Sequence, residues 1–599
     1  MNSLCLARGV FLWVRMGAFF SIIKFMNKLS LLAVFCFFSG VLCAAPVPRA
    51  DELSLREQVG QTIVPRVFIG KHRGFKKAVQ RGEVGGFILK TTDGLLTRPA
   101  LTPLTQKQYF ERQRKLLLKT ISDLNKWAAK SPHQIPLILA FDYEGGTVTS
   151  PMYMGLKQMP SNMLLAASGR DDIVADMYAA QAREIKAVGG NVSFGPVTDV
   201  NSNPLNPIIQ TRSFGDNAAV VGHNAAVAVR ALQANGVAAF NKHFPGHGDT
   251  SVDSHREMPV TALPDDELWQ KHVSAFAPPV AAGTYGIMNS HVVYPALDED
   301  NPASFSAKIL RNLLRGKMGF NGVVATDGLD MGAVNGVGVE NMVRRAYRAG
   351  NDMLLLSAPA EKMKDAYKYP RRAADFVEKN VFSGADDALT PEEIRSAAGR
   401  ILALKQKLGL FDGMTADPSA ETGFAAAARR AAEAGVTLVR DEQNLVPLPA
   451  EIKEVCAVMF ADDIFSGQVT AFGEYLTARG KTSRTVILPV SPSSEDLKTA
   501  GECMLGAHLV AVGTSRGGAM NAGQLSVVQE LFRAAEVSGK KAVLVSLLNP
   551  YEIPFYPQAR TVLALYGPTE DSVRTAAKIL MGDLPAQGKL PVTLPDVSR

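Results

Sequence analysis

Short apolar runs alternate with longer helical stretches between residues 55 and 412, and this alternation restricts the possible folds more than any other feature of the sequence. The strand-like runs are Gly85–Leu89, Pro136–Phe141, Asn191–Pro196, Val237–Asn241, Gly286–Met288, Gly322–Ala325 and Asp352–Leu356. Repeated β–α units predict an α/β fold with a parallel sheet. With one more strand near Ile63–Phe68, the pattern fits a (β/α)₈ TIM-type barrel, and a doubly wound open sheet is the alternative.

A second α/β segment follows a short polar stretch. Residues 413–422 are polar and hold Gly and Pro, which is typical of a linker. After them come a predicted helix and five predicted strands: Phe424–Ala434, Val455–Phe460, Thr485–Leu488, Leu509–Gly513, Ala542–Leu547 and Thr561–Leu565. We therefore predict a barrel over residues 50–412, a linker over 413–422 and a C-terminal α/β domain over 423–599.

The first 45 residues are typical of an export signal. Lys28 precedes the apolar run Leu29–Leu42, which is followed by the small residues Ala44 and Ala45. The run is 14 residues long, shorter than the roughly 20 residues that span a bilayer. We predict cleavage near residues 44–46, no stable membrane span after cleavage, and a periplasmic or secreted protein. A retained N-terminal anchor is the alternative.

Charge and composition exclude several classes of protein. The chain has 64 Lys+Arg against 57 Asp+Glu, a net charge of +7, and four of these positive charges lie in the predicted leader. No basic run follows, so the sequence does not indicate nucleic-acid binding. A chain that is 47% hydrophobic and 20% charged is not disordered.

Cysteines are scarce beyond the predicted leader, where they occur only at Cys456 and Cys503. This excludes a disulfide-dense scaffold. We expect two unpaired buried thiols, and a Cys456–Cys503 bridge is the alternative.

Polar residues follow the predicted strands at the points where they end. They are Asp142, Asp199, Lys242 with His243, Asn289 with His291, and Asp327. In a parallel barrel these positions share the C-terminal face, where active sites are built. The sequence therefore predicts one active site formed by several strands.

The segment Asn241–His255, NKHFPGHGDTSVDSH, is the densest cluster of chemically active side chains. Pro245, Gly246 and Gly248 prevent a helix, so the histidines are not paired ligands on one helical face. We therefore predict no metal ion. Asp253 lies two residues before His255 and could orient its imidazole for acid–base catalysis.

These residues resemble the signature of glycoside hydrolase family 3, in its β-N-acetylglucosaminidase (β-hexosaminidase) branch. The resemblance covers nearly all of residues 55–599, and its motifs in chain order are FDYEGG, KHFPGHGDTSVDSHREMP, MNSHVVYPALD, GVVATDGLDMGA, LLNPYEIPFYP and GKLPVTLP. It implies a (β/α)₈ barrel followed by an α/β sandwich domain. It also implies a role for each matching residue: Asp327 as nucleophile, His255 as general acid/base, Asp253 as its partner, and Asp142, Arg212, Lys242 and His243 as ligands of sugar hydroxyls.

The resemblance implies an exo-acting, retaining enzyme that hydrolyses terminal β-linked N-acetylglucosamine, with peptidoglycan fragments as the expected source. It implies no cofactor. A phosphorylase carrying the same motif remains open, as does a β-glucosidase or β-xylosidase of the same fold. A metal-dependent hydrolase built on the histidine cluster and a non-catalytic cell-wall binding protein also remain open.

Overall fold

The computed structural model describes residues 47–92, 103–148, 150–413, 416–461, 463–515 and 522–595. The predicted leader, residues 1–45, lies outside them. The described residues between 48 and 408 and between 416 and 595 form one compact unit, which holds both of the large sheets. Residues 409–413 are grouped separately and contain a short 3₁₀ turn, Leu410–Asp412.

The first large sheet is parallel and follows the chain in order. The strands in this part of the described chain are β1 (Arg66–Phe68), β2 (Gly86–Lys90), β3 (Ile138–Phe141), β4 (Val192–Ser193), β5 (Ala238–Phe244), β6 (Gly286–Asn289), β7 (Val293–Tyr294), β8 (Asp298–Pro302) and β9 (Val323–Ala325). The sheet order is β1-β2-β3-β4-β5-β6-β9, while β7 and β8 form an antiparallel hairpin. An order without reversal excludes the doubly wound alternative. The predicted α/β class and parallel sheet are confirmed.

The predicted strand at Asp352–Leu356 is not a regular strand. Met353 forms an isolated parallel bridge with Ala325 in β9, and Leu354 forms one with Ile63, just before β1. The ladder is irregular because the backbone N–H groups of Asp352 and Met353 both donate to the Val324 carbonyl, at 2.8 and 3.0 Å. Single bridges therefore connect the two edges of a curled sheet.

Helices alternate with these strands, and their ends match their capping residues. Asn217 caps Ala218–Ala234 by accepting from the N–H groups of Ala219 and Val220, and Thr390 forms a capping box with Glu393. The described α-helices of this part are Leu55–Thr62, Lys76–Gln80, Pro103–Ala128, Ser150–Tyr153, Asn162–Ala167, Asp171–Ala187, Ala218–Ala234, Asp265–Lys271, Ala277–Ala281, Val339–Ala349, Tyr369–Val381 and Pro391–Lys407, with a π-helix at Lys308–Lys317.

The second sheet is mostly parallel. Its described strands are β10 (Thr437–Asp441), β11 (Glu454–Phe460), β12 (Thr482–Leu488), β13 (Leu509–Thr514), β14 (Lys541–Ser546) and β15 (Thr561–Ala564), in the order β10-β15-β14-β13-β11-β12. β10 pairs antiparallel with β15 and was not predicted from the sequence. The helices around it are Phe424–Gly435, Ser466–Val469, Ala471–Ala478, Ser494–Leu505, Ala522–Val537 and Glu570–Met581.

Cys456 and Cys503 form a disulfide, so the expectation of two unpaired thiols is wrong. Cys456 lies in β11 and Cys503 lies in helix Ser494–Leu505, with their Cα atoms 5.6 Å apart. A Cα–Cα distance in this range is what a disulfide requires. The packing of the helix on the sheet brings together two cysteines that are 47 positions apart.

The second sheet's part of the molecule contacts a loop that follows β4. The Tyr551 hydroxyl donates to the Asn201 carbonyl at 3.1 Å, and the Thr593 N–H donates to Asp216 Oδ2 at 2.6 Å.

Among the described residues, no helix combines the length and apolarity needed to cross a membrane.

Candidate active site

The inner face of the first sheet is apolar along its length and charged where its strands end. Side chains alternate between faces along a strand, so every second residue points inward. Ile88, Ala140, Phe240 and Ala325 belong to the inner apolar cluster. Lys90, Asp142, Lys242 and Asp327, in the same order, each lie two residues further along the chain. The strand period therefore brings four charged groups to the carboxyl ends of the strands.

Five charged side chains form one ion-paired cluster, here called the strand-end network. They are Lys90, Asp142, Glu144, Arg212 and Lys242. Lys90 Nζ donates to Asp142 Oδ2 at 2.6 Å, and Lys242 Nζ donates to Asp142 Oδ1 at 2.8 Å. Lys242 also lies 2.6 Å from Glu144 Oε1. Arg212 holds both oxygens of Glu144, at 2.7 and 3.2 Å. The two carboxylates and three cations are thus fixed relative to one another.

Charge pairing outweighs burial in this network. Burial alone would raise the pKa of Asp142, but Lys242 and Lys90 hold it well below its usual range. Burial would likewise lower the pKa of Lys242, yet Asp142 and Glu144 raise it. Asp142 and Lys242 therefore stay ionised at neutral pH and present fixed charges to a ligand.

Asp199 is a fully buried carboxylate that receives three N–H groups from the histidine-rich segment. The backbone N–H groups of His243 and His247 donate to Oδ1 at 3.1 and 2.7 Å, and His243 Nδ1 lies 2.7 Å from Oδ2. The carboxylate therefore accepts a hydrogen bond from Nδ1–H of His243, and Nε2 faces the site. His243 Nε2 lies 3.9 Å from Asp327 Oδ2.

Asp327 lies two residues after the end of β9, and the Gly328 N–H donates to its Oδ1 at 2.7 Å. Burial would raise the pKa of Asp327, but the neighbouring imidazoles of His243, His291 and His255 lower it. His291 Nε2 donates to the Gly328 carbonyl at 3.0 Å and so supports the turn that carries Asp327. The result is an ionised, partly exposed carboxylate at the end of a strand.

Asp253 and His255 form a pair on the loop after β5. Both the ring Nδ1 and the backbone N–H of His255 contact Asp253 Oδ1, at 2.8 and 2.9 Å. Burial would raise the pKa of Asp253, but its hydrogen bonds from His255 lower it to about 2. The His255 side chain is 58% exposed. A solvent-accessible imidazole with a carboxylate on one nitrogen can exchange a proton through the other.

A second loop holds the Asp253–His255 loop against the turn after Asp327. The N–H groups of Gly332 and Ala333 donate to the carbonyls of His255 and Ser254, at 3.1 and 3.2 Å. A Cβ atom at position 332 would lie 2.4 Å from the Arg256 carbonyl oxygen, so only glycine permits this approach. Backbone contact thus connects the proposed acid/base to the segment that follows the proposed nucleophile.

The matching family model is the glycosyl hydrolase family 3 N-terminal domain, which covers residues 54–404. The chain belongs to glycosyl hydrolase family 3. It is therefore a glycoside hydrolase, and the resemblance found in its motifs is confirmed.

Two relatives and one solved structure resemble this family 3 chain over most of its length. Beta-hexosaminidase A of Pseudoalteromonas piscicida is 30% identical over 80% of this chain and 86% of its own. Beta-N-acetylglucosaminidase/beta-glucosidase of Cellulomonas fimi is 29% identical over 77% and 84%. The structure of a glycoside hydrolase family 3 beta-N-acetylglucosaminidase from Paenibacillus sp. str. FPU-7 superposes with a TM-score of 0.76 at 28% identity, covering 90% of this chain and 99% of that one.

The family 3 fold brings the predicted site residues together in three groups. Asp142, Lys242 and Arg212 lie in the strand-end network, His243 lies beside Asp327, and Asp253 contacts His255. Sequence reasoning did not single out Lys90 or Glu144. Lys90 directly follows a predicted strand and Glu144 lies within FDYEGG, so inward periodicity and motif position were signals for both.

Two further observations concern groups near the family 3 site. Asp330 is bound by Arg66 Nη2 at 2.5 Å, so it is a structural partner of β1. In the part of the chain that the structure describes, no group of three or more His, Cys, Asp or Glu side chains is arranged to hold a metal ion.

Proposed function

We propose that this family 3 enzyme is an exo-acting, retaining β-N-acetylglucosaminidase that hydrolyses terminal β-linked N-acetylglucosamine. The observation that carries the proposal is the combination of an ionised Asp327 with an exposed His255 whose Nδ1 is held by Asp253. Retaining glycosidases need a nucleophile and an acid/base. The similarity to relatives named for hexosaminidase activity supports the substrate class.

The strand-end network suits the recognition of sugar hydroxyls. Fixed ammonium, guanidinium and carboxylate groups form directional, charge-assisted hydrogen bonds with hydroxyl groups. Asp142 and Lys242 are already held by their ion pairs, so a sugar would be bound without reorganising them. His243 Nε2, fixed by Asp199, adds a further polar contact beside the nucleophile.

Two steps follow from these positions. Asp327 attacks the anomeric carbon while protonated His255 gives its Nε2 proton to the departing glycosidic oxygen, which leaves as an alcohol. Neutral His255 then takes a proton from a water molecule, whose oxygen attacks the anomeric carbon and releases Asp327. Asp253 stabilises the imidazolium form, so the acid–base pair as a whole carries no net charge beside the anionic Asp327.

The finer features of the proposal are the architecture, the location and the natural substrate. We propose a (β/α)₈ barrel whose eighth position is residues 353–354, and a C-terminal α/β sandwich domain. We also propose export to the periplasm or beyond, with peptidoglycan fragments as substrate. The Cys456–Cys503 disulfide supports export, because structural disulfides persist in oxidising compartments.

Release of p-nitrophenol from its β-N-acetylglucosaminide tests the proposal, with the β-glucoside assayed in parallel and each assay run with and without phosphate. We expect turnover of the N-acetylglucosaminide that does not depend on phosphate. Turnover that requires phosphate would make the enzyme a phosphorylase, and preference for the glucoside would make it a β-glucosidase.

A matched pair of aspartate variants tests the assignment of the nucleophile. We expect Asp327→Asn to lower kcat on the order of 10⁴-fold or more, since the covalent step is lost. Asp330→Asn, three positions along the same turn, should keep most of the activity because Asp330 is bound to Arg66. Equal losses in the two variants would contradict the assignment.

A further inference from the structure

His247 is a buried imidazole that the proposed reaction does not use. Its side chain lies inside the loop that carries the acid/base pair, and the residue is 2% exposed. Ring Nδ1 lies 2.9 Å from Thr250 Oγ1, and Nε2 lies 3.0 Å from Ser254 Oγ. Both nitrogens are therefore occupied by hydroxyl groups of its own loop.

The hydrogen bonds around Thr250 determine which nitrogen of His247 carries the proton. The Thr250 hydroxyl donates to the His247 carbonyl at 3.1 Å, so its oxygen must accept from Nδ1–H. Nε2 then has no proton and accepts from the Ser254 hydroxyl. Burial is the main cause, and the nearby His243 the second, of a pKa of His247 lowered to about 4. The ring is therefore neutral at neutral pH.

Ser254 stands between the two residues of the acid/base pair and is the buried member of the three. It is 2% exposed, whereas the side chains of Asp253 and His255 are 27% and 58% exposed. The ring and backbone N–H groups of His255 both go to Asp253, so these hydrogen bonds join the pair to itself and not to the body of the enzyme. The side-chain connection to the body runs from Ser254 to His247.

His247 is in turn bonded to residues outside the loop that carries the acid/base pair. Its N–H donates to the buried Asp199 at 2.7 Å, and Asn206 Nδ2 donates to its carbonyl at 2.9 Å. Its ring packs edge-on against His243, with centroids 5.9 Å apart. The His247 imidazole is therefore held in place beneath the exposed end of the loop.

We propose that His247 is a positioning residue, which holds Ser254 and thereby sets Asp253 and His255 over Asp327 for proton transfer. This inference rests on the proposed function, because it takes His255 as the acid/base. Removing either end of the His247–Ser254 hydrogen bond should leave sugar binding intact and lower the fraction of time that His255 is aligned.

The test compares leaving groups that differ in their need for a proton. Ser254→Ala and His247→Leu should lower kcat/KM about tenfold on the phenyl β-N-acetylglucosaminide, which is about the factor that one buried hydrogen bond supplies. With 2,4-dinitrophenol, a leaving group that departs without protonation, the loss should be about twofold or less. A loss that is equal for both leaving groups would overturn the proposal.

Three further variants separate positioning from general damage to the fold. His247→Gln offers an amide oxygen to the Ser254 hydroxyl, so it should recover part of the phenyl activity. The double variant His247→Leu/Ser254→Ala should be no worse than the poorer single variant, because both remove the same bond. Ser572→Ala removes a buried serine hydroxyl that is hydrogen-bonded to Thr569 in the C-terminal region. It should leave kcat/KM unchanged for both substrates.

Hydrogen exchange of the full chain gives a readout that does not depend on catalysis. In Ser254→Ala and His247→Leu, amide exchange over residues 251–256 should be about tenfold faster than in wild type, with Ser572→Ala unchanged. Unchanged exchange in the first two variants would overturn the proposal. If the wild type hydrolyses neither glycoside, the proposed function fails, and exchange alone still decides whether His247 anchors the loop.

Discussion

The strand-end network and the Asp253–His255 pair place charge in opposite settings within one site. Lys242 and Glu144 are 3% and 4% exposed in their side chains and are shared among several partners, whereas His255 is 58% exposed and bonded to a single carboxylate. The network stands at the ends of regular strands, while the pair stands on a loop. Under the proposed function, the groups that bind the sugar are buried and ion-paired, whereas the groups that exchange protons with water are accessible.

This difference has an energetic side. Breaking a buried ion pair leaves an uncompensated charge and destabilises the fold, whereas an exposed pair contributes little to stability. Variants in the network should therefore lose both activity and stability, and variants in the pair should lose activity alone. Four substitutions of decreasing effect test this division.

Lys242→Met should have the largest effect, because it removes the cation shared by Asp142 and Glu144. We expect kcat/KM to fall on the order of 10³-fold and the free energy of unfolding to fall by about 3 kcal/mol. Kinetics and urea denaturation measure the two losses. Lys271→Met, at an exposed ion pair with Glu267, is the control and should change neither substantially. A Lys242→Met protein as stable as wild type would contradict the division.

His255→Ala should lower kcat/KM about 10²-fold on substrates with poor leaving groups and leave the midpoint of thermal unfolding unchanged. The chain provides a close control in His223→Ala, because His223 is 57% exposed in its side chain and its Nε2 lies 2.7 Å from Asp171. That variant should retain full activity. Loss of stability in His255→Ala, with no dependence on the leaving group, would place His255 among the structural residues instead.

Lys405→Met examines a buried charge outside the site. Lys405 is fully buried, its Nζ donates to Gln61 Oε1 at 2.7 Å, and no carboxylate lies within ion-pair distance among the residues that the structure describes. Burial lowers its pKa to about 7. Between pH 7 and 10.5 the unfolded chain therefore holds a proton that the folded chain has released, and wild-type stability rises with pH across this window.

Methionine removes this pH dependence, so Lys405→Met should be the more stable protein at about pH 6, by on the order of 2 kcal/mol, and should lose that advantage towards pH 10. Urea denaturation at both pH values measures the difference. An advantage that is the same at both pH values would mean that the pKa of Lys405 is the same in the folded and the unfolded chain, which would contradict the expectation. Activity per folded molecule should not change, because the partner of Lys405, Gln61, precedes the first residue of β1, whereas the site lies where the strands end.

Tyr551→Phe should have the smallest effect. It removes the hydrogen bond from the C-terminal region to the Asn201 carbonyl, worth about 1 kcal/mol, so kcat/KM should fall no more than about fivefold. Tyr566→Phe is the control, since the Tyr566 hydroxyl donates to Thr437 Oγ1 within the C-terminal region. If both variants keep full activity, the loop after β4 does not depend on this contact.

The sequence predicted the regular parallel strands better than the irregular segments. Parallel strands have a short apolar pattern that ends in a polar residue, so most strands and the charged strand ends were identified. The region around Asp352 has the same apolar pattern, but its carboxylate accepts the Val324 N–H at 2.8 Å and the ladder is not regular there. That outcome depends on a contact 28 residues away in the chain and leaves no local signal.

Pairings across the chain were the other limit. Lys90 and Asp142 are 52 residues apart, and Lys242 and Asp142 are 100 apart, so the network became visible only in three dimensions. The Cys456–Cys503 bridge was expected to be absent for the same reason, because the Cα–Cα distance depends on how a helix packs on β11. The Asp253–His255 contact spans two positions and was predicted from spacing alone.

The exposure of His255 has a consequence for inhibitors of this enzyme. Under the proposed function, a compound shaped like the sugar and carrying a positive charge near the anomeric position would draw its affinity from Asp327 and the strand-end network, and it would not need the loop. Substitutions in the loop would weaken turnover and leave the contacts of this compound in place, so they would not give resistance. Substitutions in the network would lower both the activity and the stability of the enzyme.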